Sequence, residues 1–301
     1  MKQIAIIGPT ASGKSALAID VAKRIDAYIL SLDSLSIYKE IDIASAKPTI
    51  EEMSGIEHFG IDILAPDSYF SVKLYMDLYT KVYNLAKKNN KNLVIVGGSS
   101  FYLKSLLDGI SQLPVVSDTN IKKRNLILKD IDSAYKMMYD IDIEYMSSIS
   151  PNDSYRIEKA LDIYLETGTT PTRYFTLNPP MPIIEPKIPI YEIKVDRAIL
   201  RDRIEHRTDI MLSAGLIDEV CKLEVKYSRF PNSMKSIGIK ETLGYLDGIY
   251  NYSELKDKII TNTARLAKRQ VTFNKSQFLD KIVGSSEELL EKIVSISYPS
   301  L

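Results

Sequence analysis

Residues 2–15 read KQIAIIGPTASGKS, an apolar run that ends in a glycine-rich turn and continues into a helical pattern. A wholly apolar run of this length is typical of a strand buried on both faces of a sheet. The turn GPTASGKS (8–15) fits the spacing G-x-x-x-x-G-K-[ST] and lies between a strand and a helix, as this motif requires. The stretch therefore predicts a phosphate-binding loop at one edge of a sheet.

Each residue type in this turn has a part in holding phosphate. Glycines let the backbone wrap closely, so that successive N–H groups point inward, and the following helix adds its positive N-terminal end. Lys14 supplies a mobile charge, and the Ser15 hydroxyl is placed to ligate Mg²⁺. The predicted phosphate-binding residues are Gly8, Pro9, Thr10, Ala11, Ser12, Gly13, Lys14 and Ser15.

Predicted strands and helices alternate through the first hundred residues, which indicates a mostly parallel sheet with helices on both faces. The predicted strands are 2–7, 27–32 and 92–96, and the predicted helices are 14–24, 71–88 and 101–107. Residues 117–166 show only helical periods, and 178–190 contain five prolines, before a strand at 190–195 and a helix over 198–213. We predict an α/β fold, a P-loop NTPase-like parallel sheet flanked by helices, formed by residues 1–113 and 191–301. An all-helical insertion domain is predicted over 114–190.

Composition excludes several classes of protein. Hydrophobic residues make up 45% and charged residues 26%, which is ordinary for a globular protein and unlike a disordered or fibrous one. The single cysteine, Cys221, cannot form an internal disulfide, and two histidines disfavour a zinc site. No apolar run approaches the roughly 20 residues of a membrane span, and the N-terminus lacks a signal-peptide pattern. We expect a cytoplasmic monomer with no membrane association.

The loop alone does not identify the phosphate compound. ATP or GTP is the default, but the N-K-x-D segment of regulatory GTPases is missing. The strand at 92–96 ends in Gly97 and Gly98, where many P-loop NTPases place a Mg²⁺-organising aspartate. Asp33 ends the strand at 27–32, at the edge of the sheet that faces the ligand. It is a candidate base or metal ligand, or a cap for the following turn.

Further motifs follow in order along nearly the whole chain. They are DSLSIY (33–38), DIASAKP (42–48), VGGSSFY (96–102), PNDSYRIEKALDIYLETG (151–168), RIEHRTDIMLSAGLIDEV (203–220), SIGIKE (236–241) and TARLAKRQVTF (263–273). Together with the loop, they resemble the signatures of the tRNA dimethylallyltransferases (tRNA isopentenyltransferases).

The resemblance implies a reaction. A dimethylallyl group would move from dimethylallyl diphosphate to N6 of the adenosine 3′-adjacent to the anticodon (position 37), in tRNAs that read codons starting with U. The products would be N6-isopentenyladenosine and diphosphate, with Mg²⁺ as cofactor. The implied catalytic residues are Asp33 as general base, Ser99 as a hydroxyl contact to the substrate, and Arg207 on the diphosphate side.

A protein of zero net charge, with 39 basic and 39 acidic residues, must concentrate positive charge to bind tRNA. Residues 264–281 contain five basic residues against Asp280, and residues 222–240 contain five against Glu224. Such segments contact phosphates. The resemblance implies further contacts, among them a grip of the helical insertion on the anticodon stem-loop. With it, the predicted tRNA-binding residues are Asp33, Ser34, Leu35, Ser36, Lys122, Tyr155, Arg156, Lys159, Lys235, Lys240, Arg265, Lys268, Arg269 and Lys275.

Two other functions fit parts of the sequence. A small-molecule or nucleoside kinase also combines a P-loop sheet with a helical lid, but it has no use for basic C-terminal segments. A P-loop RNA-binding module without catalysis would keep those segments, but it has no use for Asp33 beside an intact loop.

Overall fold

Six parallel strands form one sheet in the computed structural model of the chain, which describes residues 1–184 and 187–297. The first elements in chain order are β1 Gln3–Ile7, α1 Lys14–Ile25, β2 Ala27–Ser31, α2 Ile50–Met53, β3 His58–Phe59, α3 Val72–Lys88, β4 Asn92–Gly97 and α4 Ser100–Asp108. Five helices follow: α5 Asp118–Ile127, α6 Ile131–Ile141, α7 Ile143–Met146, α8 Ser154–Thr167 and α9 Pro171–Leu177. The remaining elements are β5 Ile190–Ile193, α10 Arg197–Ser213, α11 Leu216–Tyr227, α12 Ile239–Leu246, α13 Tyr252–Gln277, β6 Ile282–Gly284 and α14 Ser286–Ser297.

The strand order in the sheet is β3-β2-β4-β1-β5-β6, and every neighbouring pair is parallel. One face packs against α1 and α14, and the other packs against α3 and α4. Burial on both faces explains why the central strands are apolar throughout, with Ile6 and Ile7 both at 0% exposure. Since all strands are parallel, their carboxyl ends share one edge, where ligands bind in sheets of this kind.

The predicted fold class is confirmed, as are the main strands and the long helices of the sheet region. Ser71 caps α3 by accepting a hydrogen bond from the backbone N–H of Leu74, and α8 ends at Gly168 in the left-handed conformation. Two short edge strands, β3 and β6, were not predicted. With two and three residues, they are too short to show a period of their own.

The chain divides into two compact units, one formed by Met1–Leu107 with Ile184–Leu301 and the other by Asp108–Ile183. The second unit contains α5 to α9, where the sequence predicts an insertion over 114–190. Its core is formed by apolar side chains of α6, α7 and α8, including Met138, Met146 and Leu161. Part of the proline-rich end of the predicted insertion, residues 185 and 186, lies outside the described residues.

None of the helices within residues 1–184 and 187–297 combines the length and apolar character needed to cross a membrane. The longest, α13, has 26 residues and alternates buried apolar side chains with exposed charges. This helix contributes to the site described next.

Candidate functional site

The loop between β1 and α1 has the backbone of a phosphate cradle. Gly13, with φ +93°, precedes α1 in the left-handed conformation, which other residues rarely adopt. A Cβ on Gly8 would lie 3.1 Å from Ser12 Oγ and 3.3 Å from the carbonyl oxygen of Ile193. The ammonium of Lys14 folds back onto the loop and donates a 2.6 Å hydrogen bond to the carbonyl oxygen of Pro9. Both glycines of the motif are therefore required by the local geometry.

A cavity of about 400 Å³ opens beside this loop at the carboxyl edge of the sheet. It brings together residues that are distant in the sequence, and eight of the predicted site residues besides Thr10 and Lys14 line its wall. They are Ser15, Asp33, Ser34, Leu35, Ser36, Ser99, Arg207 and Lys235. The three predicted catalytic residues thus share one cavity with the phosphate loop.

Asp33 is fixed by the turn that follows β2. Its Oδ1 accepts hydrogen bonds from the backbone N–H groups of Leu35 (2.7 Å) and Ser36 (3.1 Å). Its Oδ2 has no hydrogen-bond partner in the part of the chain that the structure describes. One oxygen therefore caps the turn, as one of the sequence alternatives had it, while the other is available to accept a proton.

Ser99 lies next to this turn because β4 and β2 are neighbours in the sheet. Its hydroxyl accepts a hydrogen bond from the backbone N–H of Ser34 at 3.3 Å. The glycines before it permit the close approach, since a Cβ on Gly97 would lie 2.6 Å from the Cβ of Leu32. The double glycine therefore has a steric explanation that is independent of any metal.

Lys14 and Arg207 place two cations beside the carboxylate of Asp33. Burial of the ammonium group, reinforced by Arg207, lowers the pKa of Lys14 to about 8, although Asp33 opposes the shift. The Lys14 residue as a whole is half-buried, but its ammonium is enclosed. Burial also lowers the pKa of Arg207 from its usual value. Two desolvated cations strongly favour an anionic ligand between them.

Arg207 reaches two parts of the site from α10. Its guanidinium lies 3.5 Å from the Thr10 hydroxyl and 3.4 Å from the carbonyl oxygen of Ser45. One turn earlier on the same helix, Arg203 donates to the carbonyl oxygen of Ser12 at 3.3 Å. Both arginines also line a second cavity of about 310 Å³, whose wall includes Gly13, Lys14 and Ser15. Arg207 is thus part of the site rather than a solvated helix charge.

The DIASAKP segment supplies a lysine that sequence reasoning did not assign. Lys47 lines the cavity, and its ammonium lies 2.6 Å from carboxylate oxygens of both Asp42 and Asp62 and from the carbonyl oxygen of Tyr38. Its side chain is only 6% exposed. A buried cation with two carboxylates and a carbonyl is already neutralised, so Lys47 holds the cavity wall together.

The sequence pattern also missed Gln270, which lines the cavity from α13. The only local signal was its place within the TARLAKRQVTF motif. On the same helix Arg265, Lys268, Arg269 and Lys275 are exposed, as a phosphate-binding surface requires. Lys281, counted with them in the basic segment, lies beyond the helix and is 10% exposed. It donates to the carbonyl oxygens of Asn274 and Phe278.

The other predicted RNA contacts have different surroundings. Lys235 and Lys240 are exposed, and Lys235 borders the cavity. In the unit Asp108–Ile183, Lys122, Tyr155 and Arg156 are exposed, with Arg156 paired to Asp153 at 2.7 Å. Lys159 is paired with both Glu158 and Asp162 and lies 5.6 Å from the centre of the Tyr155 ring.

The residues around Ser15 fit a magnesium ion that is bound mainly through phosphate. Ser15 lines both cavities next to Lys14, and its hydroxyl forms no hydrogen bond with the described residues. Within those residues, no cluster of three or more histidine, cysteine or acidic side chains could hold a metal. Mg²⁺ commonly takes one protein oxygen and completes its octahedron with phosphate oxygens and water.

Fold and site together define an enzyme of the P-loop class with an aspartate beside its phosphate loop. A family model described as IPP transferase matches residues 36–277. The chain is 59% identical to a tRNA dimethylallyltransferase of Sulfurovum sp. (strain NBC37-1) over 294 residues, covering 98% of this chain and 97% of the relative. It is 55% identical to a tRNA dimethylallyltransferase of Sulfurimonas denitrificans, covering 98% of each chain.

The crystal structure of the full-length tRNA isopentenylpyrophosphate transferase from Bacillus halodurans matches with a TM-score of 0.72 and 29% identity. The match covers 98% of this chain and 95% of that one. The chain therefore belongs to the tRNA dimethylallyltransferase family of transferases. Membership of this family favours prenyl transfer over the kinase alternative.

Proposed function

We propose that the protein transfers a dimethylallyl group from dimethylallyl diphosphate to N6 of the adenosine at position 37, next to the anticodon, of tRNAs that read codons starting with U. The products are N6-isopentenyladenosine and diphosphate. The observation that carries the proposal is the shared cavity, in which Asp33 faces the same space as the phosphate loop and Arg207.

The phosphate loop holds the leaving group in this proposal. As the bond between the allylic carbon and the diphosphate oxygen breaks, negative charge grows on the diphosphate. The ammonium of Lys14 and the guanidinium of Arg207 are already desolvated beside the loop, where they stabilise that charge. When bound at Ser15, Mg²⁺ supplies further neutralisation of the diphosphate oxygens.

Asp33 removes the proton from the nucleophile. The lone pair of N6 is delocalised into the adenine ring, so the N–H becomes acidic only as the new carbon–nitrogen bond forms. The Oδ2 atom of Asp33 accepts this proton, while Oδ1 keeps the carboxylate in place through Leu35 and Ser36. The Ser99 hydroxyl, bonded to Ser34, orients the reacting groups beside it.

The target adenosine leaves the stack of the anticodon loop to reach this cavity. The RNA phosphates bind the exposed basic residues of α13, together with Lys235 and Lys240. Contacts between basic side chains and phosphates give affinity that does not depend on the RNA sequence. Exposed Lys122, Tyr155 and Arg156, with Lys159, contact the anticodon stem-loop from the unit Asp108–Ile183. We place the enzyme in the cytoplasm, because its proposed substrate tRNA is found there, and we expect it to act as a monomer.

The test is to incubate the protein and Mg²⁺ with an anticodon stem-loop that carries adenosine at position 37, adding either dimethylallyl diphosphate or ATP. Mass spectrometry of the RNA should detect a single added dimethylallyl group with the first donor and no change with ATP. A matched stem-loop with guanosine at position 37 should remain unmodified. ATP consumption without RNA modification would instead support a kinase.

A further inference from the structure

The side-chain amide of Gln270 joins two loops of the site. Its Oε1 accepts a 2.8 Å hydrogen bond from the backbone N–H of Thr10 in the phosphate loop. Its Nε2 donates a 3.1 Å hydrogen bond to the carbonyl oxygen of Gly98, next to Ser99. These loops follow β1 and β4, which are neighbours in the sheet. One side-chain amide thus connects the phosphate loop, which is proposed to hold the leaving group, to the Gly98–Ser99 segment, which lies beside the proposed base Asp33.

The structure leaves space for this amide on the side of Gly98. A Cβ at that position would lie 2.3 Å from Nε2 of Gln270, so any side chain there would displace the amide from Gly98. The second glycine of the VGGSSFY motif is therefore explained by the amide it faces. This contact therefore depends on the residue type at both position 98 and position 270.

Gln270 belongs to a stripe of α13 that forms a wall of the cavity. Ile259, Thr263, Leu266 and Gln270 line it, and their spacings of four, three and four residues place them on one face of the helix. Arg269 is exposed on the same helix. The cavity-lining residues and Arg269 all belong to the helix α13. The position of this helix therefore determines where the Gln270 amide contacts the two loops.

The end of α13 is anchored to the sheet one turn beyond Gln270. Asn274, which is fully buried, donates a 2.8 Å hydrogen bond to Glu192 of β5. Lys281 lies 3.6 Å from the same carboxylate and donates to the carbonyl oxygen of Asn274. These contacts hold the end of α13 against the sheet, so the Gln270 amide keeps a fixed distance from the strand ends.

We propose that Gln270 is a positioning residue that sets the spacing between the diphosphate loop at Thr10 and the segment that carries Ser99. This inference rests on the proposed function, because it assigns the two loops to the donor and the acceptor of the dimethylallyl group. The glutamine amide offers an acceptor to Thr10 and a donor to Gly98 at the same time, which an alkyl side chain of similar length cannot do. Loss of the amide leaves both backbone groups without their partner at the reacting centre.

The experiment compares Gln270→Met and Gln270→Glu with the wild type, using Gln277→Met as the matched control. Gln277 lies on the same helix, and among the residues that the structure describes its amide bonds only to the neighbouring Ser276. Because two backbone groups at the site lose their partner, Gln270→Met should lower kcat/KM for dimethylallyl diphosphate by about tenfold or more. The control variant Gln277→Met should have the same RNA affinity and the same melting temperature as the wild type.

Gln270→Glu tests the hydrogen-bond requirement directly. At neutral pH the carboxylate can accept from Thr10 but cannot donate to Gly98. The kcat/KM of Gln270→Glu for dimethylallyl diphosphate should therefore also fall, while its affinity for the RNA stem-loop stays at the wild-type value. Wild-type kcat/KM in either Gln270→Met or Gln270→Glu would overturn the inference.

Binding of inorganic pyrophosphate separates this inference from the proposed function. If the wild type binds pyrophosphate but transfers no dimethylallyl group, the proposed reaction is wrong. The role of Gln270 in shaping the loop then still predicts an affinity about tenfold weaker in Gln270→Met than in Gln277→Met. Equal affinity in these two variants would overturn the positioning role whether or not the wild type transfers the group.

Discussion

Glu219 on α11 accepts a 2.7 Å hydrogen bond from the backbone N–H of Ile43, although 176 residues separate them. The same carboxylate accepts from the N–H groups of Asp42 and Ala44, both at 2.9 Å. Three backbone donors of the DIASAKP segment thus converge on one side chain. Because this segment also presents Ser45 to Arg207, Glu219 supports the site from outside the cavity.

Replacement of Glu219 should therefore weaken both stability and activity. Glu219→Ala leaves three N–H groups without their charged acceptor, and we expect a loss of about 2 kcal/mol in the free energy of unfolding. Urea denaturation followed by circular dichroism measures it. Asp218→Ala, at the exposed neighbouring position, is the control and should cost less than about 1 kcal/mol. Equal losses in the two variants would contradict the assignment.

Asp33→Asn should abolish catalysis without disturbing the turn. The amide oxygen can still accept the two hydrogen bonds from Leu35 and Ser36, but the side chain no longer accepts the proton from N6. We expect kcat to fall by about 10²–10⁴-fold, the usual contribution of a general base. Affinity for the RNA stem-loop should be unchanged, as measured by fluorescence anisotropy. Turnover like that of the exposed control Asp20→Asn would exclude Asp33 as the base.

The pH dependence of kcat/KM for dimethylallyl diphosphate should report the loss of the proton from Lys14. Its pKa of about 8 means that the positive charge is lost as the pH rises through 8, so kcat/KM for dimethylallyl diphosphate should fall above that pH. A bound diphosphate favours the protonated form, so the corresponding fall in kcat should occur at higher pH. Steady-state kinetics between pH 6.5 and about 9.5 measure both. A flat kcat/KM profile across this range would show that Lys14 does not titrate there.

Arg269→Ala should reduce the salt dependence of RNA binding. If the guanidinium contacts one phosphate, the slope of log K against log [salt] should become shallower by about 0.7–0.9. Lys88→Ala is the control, because that exposed lysine ends α3 shortly before β4 begins and so lies at the opposite edge of the sheet. Identical slopes for the two variants would place the RNA surface elsewhere.

Much of the site could be predicted from the sequence, because the residues that form the phosphate loop are neighbours in the chain. The spacing of GPTASGKS and the left-handed conformation required at Gly13 are properties of neighbouring residues, and they define the phosphate loop. Alternation of buried strands with periodic helices likewise predicts the parallel sheet, and hence that Asp33 lies at its ligand-facing edge. That Asp33 and Ser99 follow neighbouring strands is seen only in the structure. The cap formed by Asp33, one of the alternatives that the sequence offered, is likewise local, because its partners Leu35 and Ser36 belong to the same turn.

Tertiary structure alone decided which distant groups meet at this edge. The pairs Thr10–Gln270, Ile43–Glu219 and Lys47–Asp62 depend on how helices and loops pack against the sheet, and no periodicity in the chain encodes them. The same packing buries Lys281 but leaves Arg269 exposed, though both belong to one basic segment. Composition counts the charges, but the free energy of burying each one depends on the partners that the fold supplies.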